Sequence, residues 1–293
     1  MSSTSAFLSL LGNQIEDAYE EATLLASYAP PSRPLGLHTP QATSITLSIN
    51  SFTLTLTQSP SLLNSTHKSG TTGAMLWSIT PHLARYLTAP KCPLPLTASS
   101  RVLELGCGVS AVLASTLGTM VGAYVQSDIP AITRLAAQNL AENLPPPQKK
   151  GKKLLRPQGI VETIPLNWET DDVATQPVLK ALRGPLDLVI ASDCVYNEAL
   201  VQPLVDTLVS ACLLGREEGD RETQEKTMVL IAQELRSPDV LEFFLDKLME
   251  RFVVWRVPDE LLSQELKEGN GYVLHVGVVK DDVNGERRQV GGS

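Results

Sequence analysis

The sequence has few of the residues that build metal sites and disulfide frameworks. Its four cysteines follow no Cys-x-x-Cys spacing, and its four histidines form no cluster. We therefore expect no metal site and no disulfide, as in a reducing intracellular compartment. No run approaches the ~18 apolar residues of a membrane span. Because the N-terminus also lacks the basic region of a signal peptide, we expect a cytoplasmic protein, with the nucleus as the alternative.

Basic residues are outnumbered as well. The chain carries 24 Lys and Arg against 32 Asp and Glu, a formal net charge of −8. Nucleic acid is therefore a poor main partner, because phosphate backbones bind basic faces. A basic protein fits better, since opposite net charge speeds encounter. The segment "KKGKK" at 149–153 is a local exception, and we interpret it as a solvated loop rather than an RNA contact.

What the sequence does contain is an alternation of apolar strands and helical segments from residue 101 onward. Seven buried strands are predicted, and helices separate most of them. This alternation requires a parallel sheet with right-handed crossovers and helices on both faces. No strong helix separates the last two strands, "RFVVWRV" and "GYVLHVGVV", which we expect to pair antiparallel at one edge. The predicted fold class is α/β, a doubly wound, seven-stranded, mostly parallel sheet.

The N-terminal part of the chain has other patterns. Helical apolar spacing covers residues 6–28, and apolar-polar alternation over 42–59 predicts a β-hairpin. The segment 74–87 predicts a helix, with Pro81 in its first turn or at a kink. We accordingly divide the chain into an N-terminal helix and β-hairpin extension at 1–70, a main α/β domain at 71–280 and a flexible tail at 281–293.

A glycine turn follows the first strand of the predicted sheet. In "LELGCGVSA", Gly106, Gly108 and Ala111 give a Gly-x-Gly-x-x-Ala pattern, which lets the backbone turn tightly and approach a ligand. Asp128 ends the second strand and is able to accept hydrogen bonds from both ribose hydroxyls of an adenosine. Dinucleotide and nucleoside cofactors both fit this pattern, and a turn glycine with a helix-capping acid is the structural alternative.

Glu104 separates the two cofactor classes. It lies two residues before the first glycine, inside an apolar strand, where an unpaired charge is costly. A carboxylate there suits a ligand that carries positive charge, such as the ammonium and sulfonium of S-adenosyl-L-methionine, and it repels a pyrophosphate. The residues therefore favour a methyl donor over a nicotinamide dinucleotide.

A second polar group follows the buried strand 186–191. Asp193 and Tyr196 stand where this strand reaches the carboxyl edge of the sheet, which is where open α/β sheets bind small molecules. The strand is followed by helical spacing, so both side chains face the region in which the glycine turn is expected. We interpret them as groups that act at the cofactor.

Four segments together resemble the seven-β-strand protein methyltransferases: "LELGCGVSAVLAS", "QSDIPAITRLAAQN", "LNW" and "DLVIASDCVYNEALVQPL". More narrowly, the chain resembles the protein-lysine methyltransferase group with an Asp-x-x-Tyr signature, here Asp193 to Tyr196, and within it the fungal ribosomal lysine N-methyltransferase 5 type. The similarity covers about residues 71 to 279. It implies a Rossmann-like class I methyltransferase domain, S-adenosyl-L-methionine as cofactor, and a basic protein substrate that presents a lysine, from the large ribosomal subunit or otherwise associated with translation.

The resemblance also implies roles for individual residues. Asp193 would orient the acceptor amine, and Tyr196 would supply a ring wall and a hydroxyl beside the methyl path. Cofactor contacts are implied for Trp77, Gly106, Cys107, Gly108, Asp128, Trp168 and Ser192, to which the residues themselves add Glu104. Each tryptophan has ordinary core or edge packing as its alternative, and Tyr196 has a place on a helix surface.

Other functions stay open at this point. An NAD(P)-dependent oxidoreductase fits the glycine pattern, but the chain offers neither a Tyr-x-x-x-Lys relay nor an evident catalytic histidine. A methyltransferase of small molecules and a cofactor-binding protein without turnover are further alternatives. Arg236 and Glu234 either shape the substrate cleft or adjoin a plain helix cap made by Ser237, and we favour the cap. A monomer is expected.

Overall fold

The computed structural model describes residues 3–30, 36–63, 72–144, 149–150, 153–154, 159–216 and 225–281. The strands in these ranges are β1 Ser44–Ile49, β2 Phe52–Thr57, β3 Arg101–Leu105, β4 Ala123–Asp128, β5 Lys149–Lys150, β6 Lys153–Leu154, β7 Ile160–Pro165, β8 Leu188–Ser192, β9 Met228–Glu234, β10 Phe252–Arg256 and β11 Tyr272–Val279. The α-helices are α1 Ser3–Leu8, α2 Ala18–Tyr28, α3 Pro60–Leu63, α4 Ile79–Leu87, α5 Val112–Thr116, α6 Pro130–Asn143, α7 Pro177–Ala181, α8 Val201–Cys212 and α9 Pro238–Arg251. Short 3-10 helices cover Thr72–Ala74, Leu117–Thr119, Val173–Thr175, Glu198–Leu200, Asp259–Leu261 and Gln264–Leu266.

The main sheet has seven strands in the order β10-β11-β9-β8-β3-β4-β7. Strands β7, β4, β3, β8 and β9 run parallel, whereas β11 pairs antiparallel with both β9 and β10. The predicted α/β class and the antiparallel edge are therefore confirmed. Strand order reverses between β3 and β8, and the carboxyl ends of these two neighbours open the crevice in which such sheets bind ligands.

Helices cover both faces of this sheet because its central strands are apolar on both sides. Val102, Leu188 and Leu230 face a core shared with α4, α5 and the β1–β2 hairpin. The alternate residues of the same strands face a second core, which is shared with α2, α8 and α9. Within the described part of the chain, no helix combines the length and the apolar composition that crossing a membrane requires.

The prediction of one continuous N-terminal helix over 6–28 is wrong, because the structure has two helices there. Helix α1 ends at Leu8 and α2 begins only at Ala18, where the Asp17 side chain accepts a hydrogen bond from the Glu20 N–H. Gly12, between the two helices, has φ 78°, a left-handed conformation that interrupts a helix. The segment between the helices instead reaches the sheet, since the Ile15 N–H donates to the Val254 carbonyl of edge strand β10 at 2.8 Å.

The helix predicted over 74–87 begins later than expected. Helix α4 starts at Ile79, so Pro81 lies in its first turn, where the missing N–H costs no hydrogen bond. The preceding Trp77 is extended and forms a β-bridge with Leu37. This correction places Trp77 on the segment before the helix, beside the carboxyl edge of the sheet, instead of within the helix.

The predicted hairpin over 42–59 is confirmed as β1 and β2, and two asparagines of α6 hold it in place. Asn139 accepts from the Thr57 N–H at 2.8 Å and donates to the Thr57 carbonyl at 2.7 Å. Asn143, one helical turn later, makes the same pair of bonds with Thr55. The two amides therefore continue the hydrogen bonding of β2 as a neighbouring strand would. Asn139 also donates to the Val109 carbonyl just after the glycine turn, at 2.7 Å.

Replacing Asn139 by Ala is expected to lower the free energy of unfolding by about 2–4 kcal/mol, because backbone groups of Thr57 and Val109 lose their partners. Asn143→Ala is the matched control and should cost about 1 kcal/mol, since the lost bonds lie nearer solvent and water replaces them. Urea unfolding followed by circular dichroism measures both. Equal losses for the two variants would show that Asn139 has no special role in holding the hairpin.

Candidate active site

The glycine turn after β3 forms the floor of the site. Gly106 and Gly108 have φ values of 66° and 60°, a left-handed region that glycine adopts without strain. A Cβ on Gly106 would lie 2.6 Å from the Cys194 sulfur and 3.0 Å from the Trp168 ring, and one on Gly108 would lie 3.0 Å from the Gly73 carbonyl oxygen. Both positions therefore require glycine for conformation and for space.

Asp128 at the end of β4 organises this turn. Its carboxylate accepts from the Gly108 N–H at 2.8 Å and from the Ile129 N–H at 2.7 Å, one bond to each oxygen. Burial raises the pKa of Asp128 to about 6, and the two backbone bonds oppose that rise. Each carboxylate oxygen accepts about two hydrogen bonds, so both retain capacity for a diol in the cavity.

Glu104 is a second acid under the glycine turn. It is 2% exposed, and the Tyr124 hydroxyl donates to its carboxylate at 2.7 Å. Burial raises the pKa of Glu104 to about 7. The bond from Tyr124 gives the buried acid a partner, which the sequence alone did not reveal.

All ten residues predicted for the site line one cavity of about 310 Å³. The structure thus brings together Trp77, Glu104, Gly106, Cys107, Gly108, Asp128, Trp168, Ser192, Asp193 and Tyr196. The cavity extends from the glycine turn to the turn after β8. The Tyr196 ring is 38% exposed at its rim, and burial raises the pKa of its hydroxyl.

Several residues of the cavity were missed by the sequence analysis. Gly73 lies over the glycine turn and its carbonyl accepts from the Val109 N–H at 2.8 Å. The neighbouring Thr72 carbonyl accepts from the indole N–H of Trp77 at 3.1 Å. The Thr80 hydroxyl lies 3.2 Å from that of Ser192. The sequence analysis assigned none of these three residues to the site, and only the folding of 72–80 across the sheet edge brings them there.

Asp193 occupies a strained turn directly after β8. Its φ is 61°, a conformation that aspartate tolerates better than most side chains, and such outliers cluster at functional sites. The Asp193 N–H donates to the Ala232 carbonyl at 2.7 Å. The Gln233 amide donates to Asp193 Oδ1 at 3.1 Å and to the Val195 carbonyl at 2.8 Å, which fixes the turn from the neighbouring strand.

Arg236 does more than adjoin the helix cap that the sequence predicted. Ser237 does cap α9, accepting from the Val240 N–H, as predicted. Arg236 in addition donates to both Asp193 oxygens, at 3.0 and 2.5 Å, and to Glu234 at 3.2 Å. Its guanidinium carbon lies 4.7 Å from the Trp77 ring centroid, in cation–π geometry. Burial raises the pKa of Asp193, and Arg236 opposes that rise.

The cavity fits an adenosine that carries a cationic amino acid chain. Asp128 offers acceptors for a ribose diol, and the two acids Glu104 and Asp128 favour positive charge over a pyrophosphate. The buried Trp168 indole N–H lacks a hydrogen-bond partner among the described residues. An acceptor atom of a bound ligand would satisfy this donor. No group of His, Cys, Asp and Glu able to hold a metal ion occurs in the described ranges.

Comparisons with known proteins agree with this chemistry. A family model described as lysine methyltransferase matches residues 57–250. The chain is 30% identical over 230 residues to the ribosomal lysine N-methyltransferase 5 of Zygosaccharomyces rouxii, covering 67% of this chain and 70% of that protein. It is 28% identical over 266 residues to the protein of the same name in Eremothecium gossypii, covering 73% and 81%.

Two solved bacterial structures are also similar. The YcgJ protein from Bacillus subtilis has a TM-score of 0.42 and 11% identity, with 67% of this chain and 98% of that chain covered. A Streptococcus mutans protein described as a SAM-dependent methyltransferase has a TM-score of 0.44 and 10% identity, with 81% of this chain and 56% of that chain covered.

Proposed function

Since the chain belongs to the lysine methyltransferase family, we propose that its site transfers methyl groups from S-adenosyl-L-methionine to a lysine of a ribosomal or other translation-associated protein. The observation that carries the proposal is the single cavity shared by the glycine turn, Asp128 and the signature residues Asp193 and Tyr196. It joins a nucleoside site to a polar group suited to an amine.

S-adenosyl-L-methionine supplies a methyl group already activated on a sulfonium, so the protein chiefly contributes alignment and exclusion of water. Asp128 would accept the two ribose hydroxyls, and Trp168 would bound the adenine. Glu104 and the glycine turn would hold the cationic end of the amino acid chain. Trp77 and Ser192 would line the path between the donor and the acceptor.

The acceptor lysine must lose a proton before it attacks. From a reference pKa of about 10.4, deprotonation costs roughly 4.6 kcal/mol at pH 7, and a nearby cation together with a partly apolar site lowers that pKa. Asp193 would orient the amine through Oδ2, which accepts from Arg236 alone among the described groups, whereas Oδ1 accepts three bonds. The Tyr196 ring would line the path of the methyl group, and water would accept the proton from the lysine.

A ribosomal substrate is supported by the names of the curated relatives. The formal charge of −8 adds to this, because ribosomal proteins that contact RNA are basic and opposite charge speeds encounter. We propose that the enzyme acts in the cytoplasm as a monomer on such a protein.

Transfer of tritium from labelled S-adenosyl-L-methionine tests the proposal. Ribosomal proteins are prepared from a cell lysate and separated by chromatography, and the small-molecule fraction of that lysate is kept. The purified protein is incubated with each of the two preparations in parallel. Label retained in one basic protein and mapped to a lysine is the expected result. Label confined to small molecules would replace the protein substrate with a metabolite, and no transfer to either fraction would overturn the proposal.

The affinity for S-adenosylhomocysteine is expected to rise about tenfold between pH 5 and pH 7.5. With the pKa of Asp128 raised to about 6, the carboxylate that accepts the ribose hydroxyls forms only across this range, and the ionised acid is the better acceptor. Calorimetric titration at several pH values measures the change. Asp128→Asn should bind weakly and without this slope, and a slope that survives the substitution would assign the titration to another group.

A further inference from the structure

A second cavity of about 450 Å³ lies next to the first one. Its walls are Ala22 and Ala26 of α2, Gly36, and the segment Gln233–Pro238 at the end of β9. Small residues on α2 leave this space open between α2 and the carboxyl edge of the sheet.

Arg236 stands at the boundary of the two cavities. It lines the second cavity, while its guanidinium stacks on Trp77 and pairs with Asp193, both of which line the first cavity. It also pairs with Glu234, which lines the second cavity and is 4% exposed. A single cation therefore connects a cofactor-side acid, an aromatic face and an acid of the second cavity.

We propose that the second cavity receives the acceptor lysine side chain. In this proposal Arg236 occupies the position beside Asp193 and Trp77 that the lysine ammonium takes when the substrate binds. This inference rests on the proposed function and assigns the path by which its substrate enters. The unbranched lysine chain suits a passage that has alanine and glycine along one side. Its ammonium would replace the guanidinium at Asp193 and Trp77.

The exchange is physically favourable because one cation replaces another. When the lysine ammonium binds, Asp193 exchanges one charged partner for another, so this buried carboxylate is not left unpaired, which would be costly. The Arg236 side chain is 23% exposed, so solvent is available to the guanidinium when it leaves. Trp77 offers its face first to the guanidinium and then to the ammonium or its alkyl stem.

One wall of this passage comes from the N-terminal extension. Ala22, Ala26 and Gly36 all lie outside residues 57–250, which the family model matches. A Cβ on Gly36 would lie 1.6 Å from the Glu234 carboxylate, so a larger residue at this position would have to displace the Glu234 side chain. The extension therefore determines which lysine-bearing segment reaches the cofactor.

A bisubstrate analogue tests the passage. The compound is an adenosylhomocysteine analogue with nitrogen in place of sulfur. A two-carbon linker joins this nitrogen to an amine in the place of the lysine Nε, and that amine carries a butyl chain like the lysine side chain. Wild type should bind it at least tenfold more tightly than S-adenosylhomocysteine. Ala26→Leu, which narrows the second cavity, should lose that gain and keep its affinity for S-adenosylhomocysteine. The control Ser27→Leu, on the exposed side of α2, should match wild type.

Arg236→Gln gives an independent measurement. Because no guanidinium then has to be displaced from Asp193, the affinity for the bisubstrate analogue should rise severalfold over wild type. Unchanged bisubstrate gain in Ala26→Leu, with weaker binding in Arg236→Gln, would overturn the passage and leave the proposed function standing. If wild type binds neither compound, the proposed function fails and the passage with it.

Discussion

Replacing Asp193 by Asn is expected to lower kcat for methyl transfer by about 100-fold, the cost of misplacing a reacting group by about 1 Å. The affinity for S-adenosylhomocysteine should change less than threefold, since the groups assigned to the nucleoside are untouched. Asn keeps the volume of the side chain but loses the charge that holds Arg236 at two oxygens. It also loses the carboxylate that would align the amine.

Two controls separate alignment from loss of structure. Asp206→Asn changes an exposed acid of α8 and should leave kcat unchanged. The double variant Asp193→Asn, Arg236→Gln removes both charges of the pair, so it removes any cost of leaving the guanidinium without Asp193. Thermal unfolding reports whether each variant is folded at the assay temperature. Recovery of wild-type kcat in the double variant would contradict a role of Asp193 at the substrate.

Replacing Asp128 by Ala is expected to weaken S-adenosylhomocysteine binding by at least about 100-fold. Hydrogen bonds to a charged group are worth about 1.5–3 kcal/mol each, and a tenfold change in affinity corresponds to about 1.4 kcal/mol. Two ribose bonds would be lost, and the Gly108 N–H would lose its acceptor as well. The effect on the glycine turn adds to the direct loss.

Calorimetry with S-adenosylhomocysteine measures this change, and NADH is titrated in parallel. Wild type should bind the homocysteine nucleoside and give no heat with NADH. Asp206→Ala, an acid-to-alanine change away from the cavity, should bind like wild type. Undiminished binding in Asp128→Ala would remove this residue from the cofactor site, and NADH binding would favour the oxidoreductase alternative.

The sheet and much of the site could be predicted because their signals are local. The apolar runs of β3, β8 and β9 are buried on both faces, and continuous runs of this kind occur in parallel sheets. Gly106, Gly108 and Asp128 lie where strands end, and the carboxyl ends of parallel strands meet at one edge. Placement of these residues in one cavity follows from the topology.

The contacts that the sequence analysis missed join residues far apart along the chain. Thr80 and Ser192 are 112 positions apart, and Arg236 reaches Asp193 across 43 positions. A single sequence contains no signal for such pairs. The break between α1 and α2 was missed because helical apolar spacing over 6–28 concealed the effect of Gly12 and the Asp17 cap.

The sequence by itself determined the fold class, the glycine turn and the acids at the sheet edge, since each depends on residue type and on position within its own strand or turn. Only the tertiary structure decided how these groups are partnered. It placed Trp77 on an extended segment, gave Glu104 the Tyr124 hydroxyl, and set Arg236 between Asp193, Glu234 and Trp77. The physical reason is that charge and hydrogen-bond pairing depend on distances of a few ångströms, which packing fixes and sequence spacing does not.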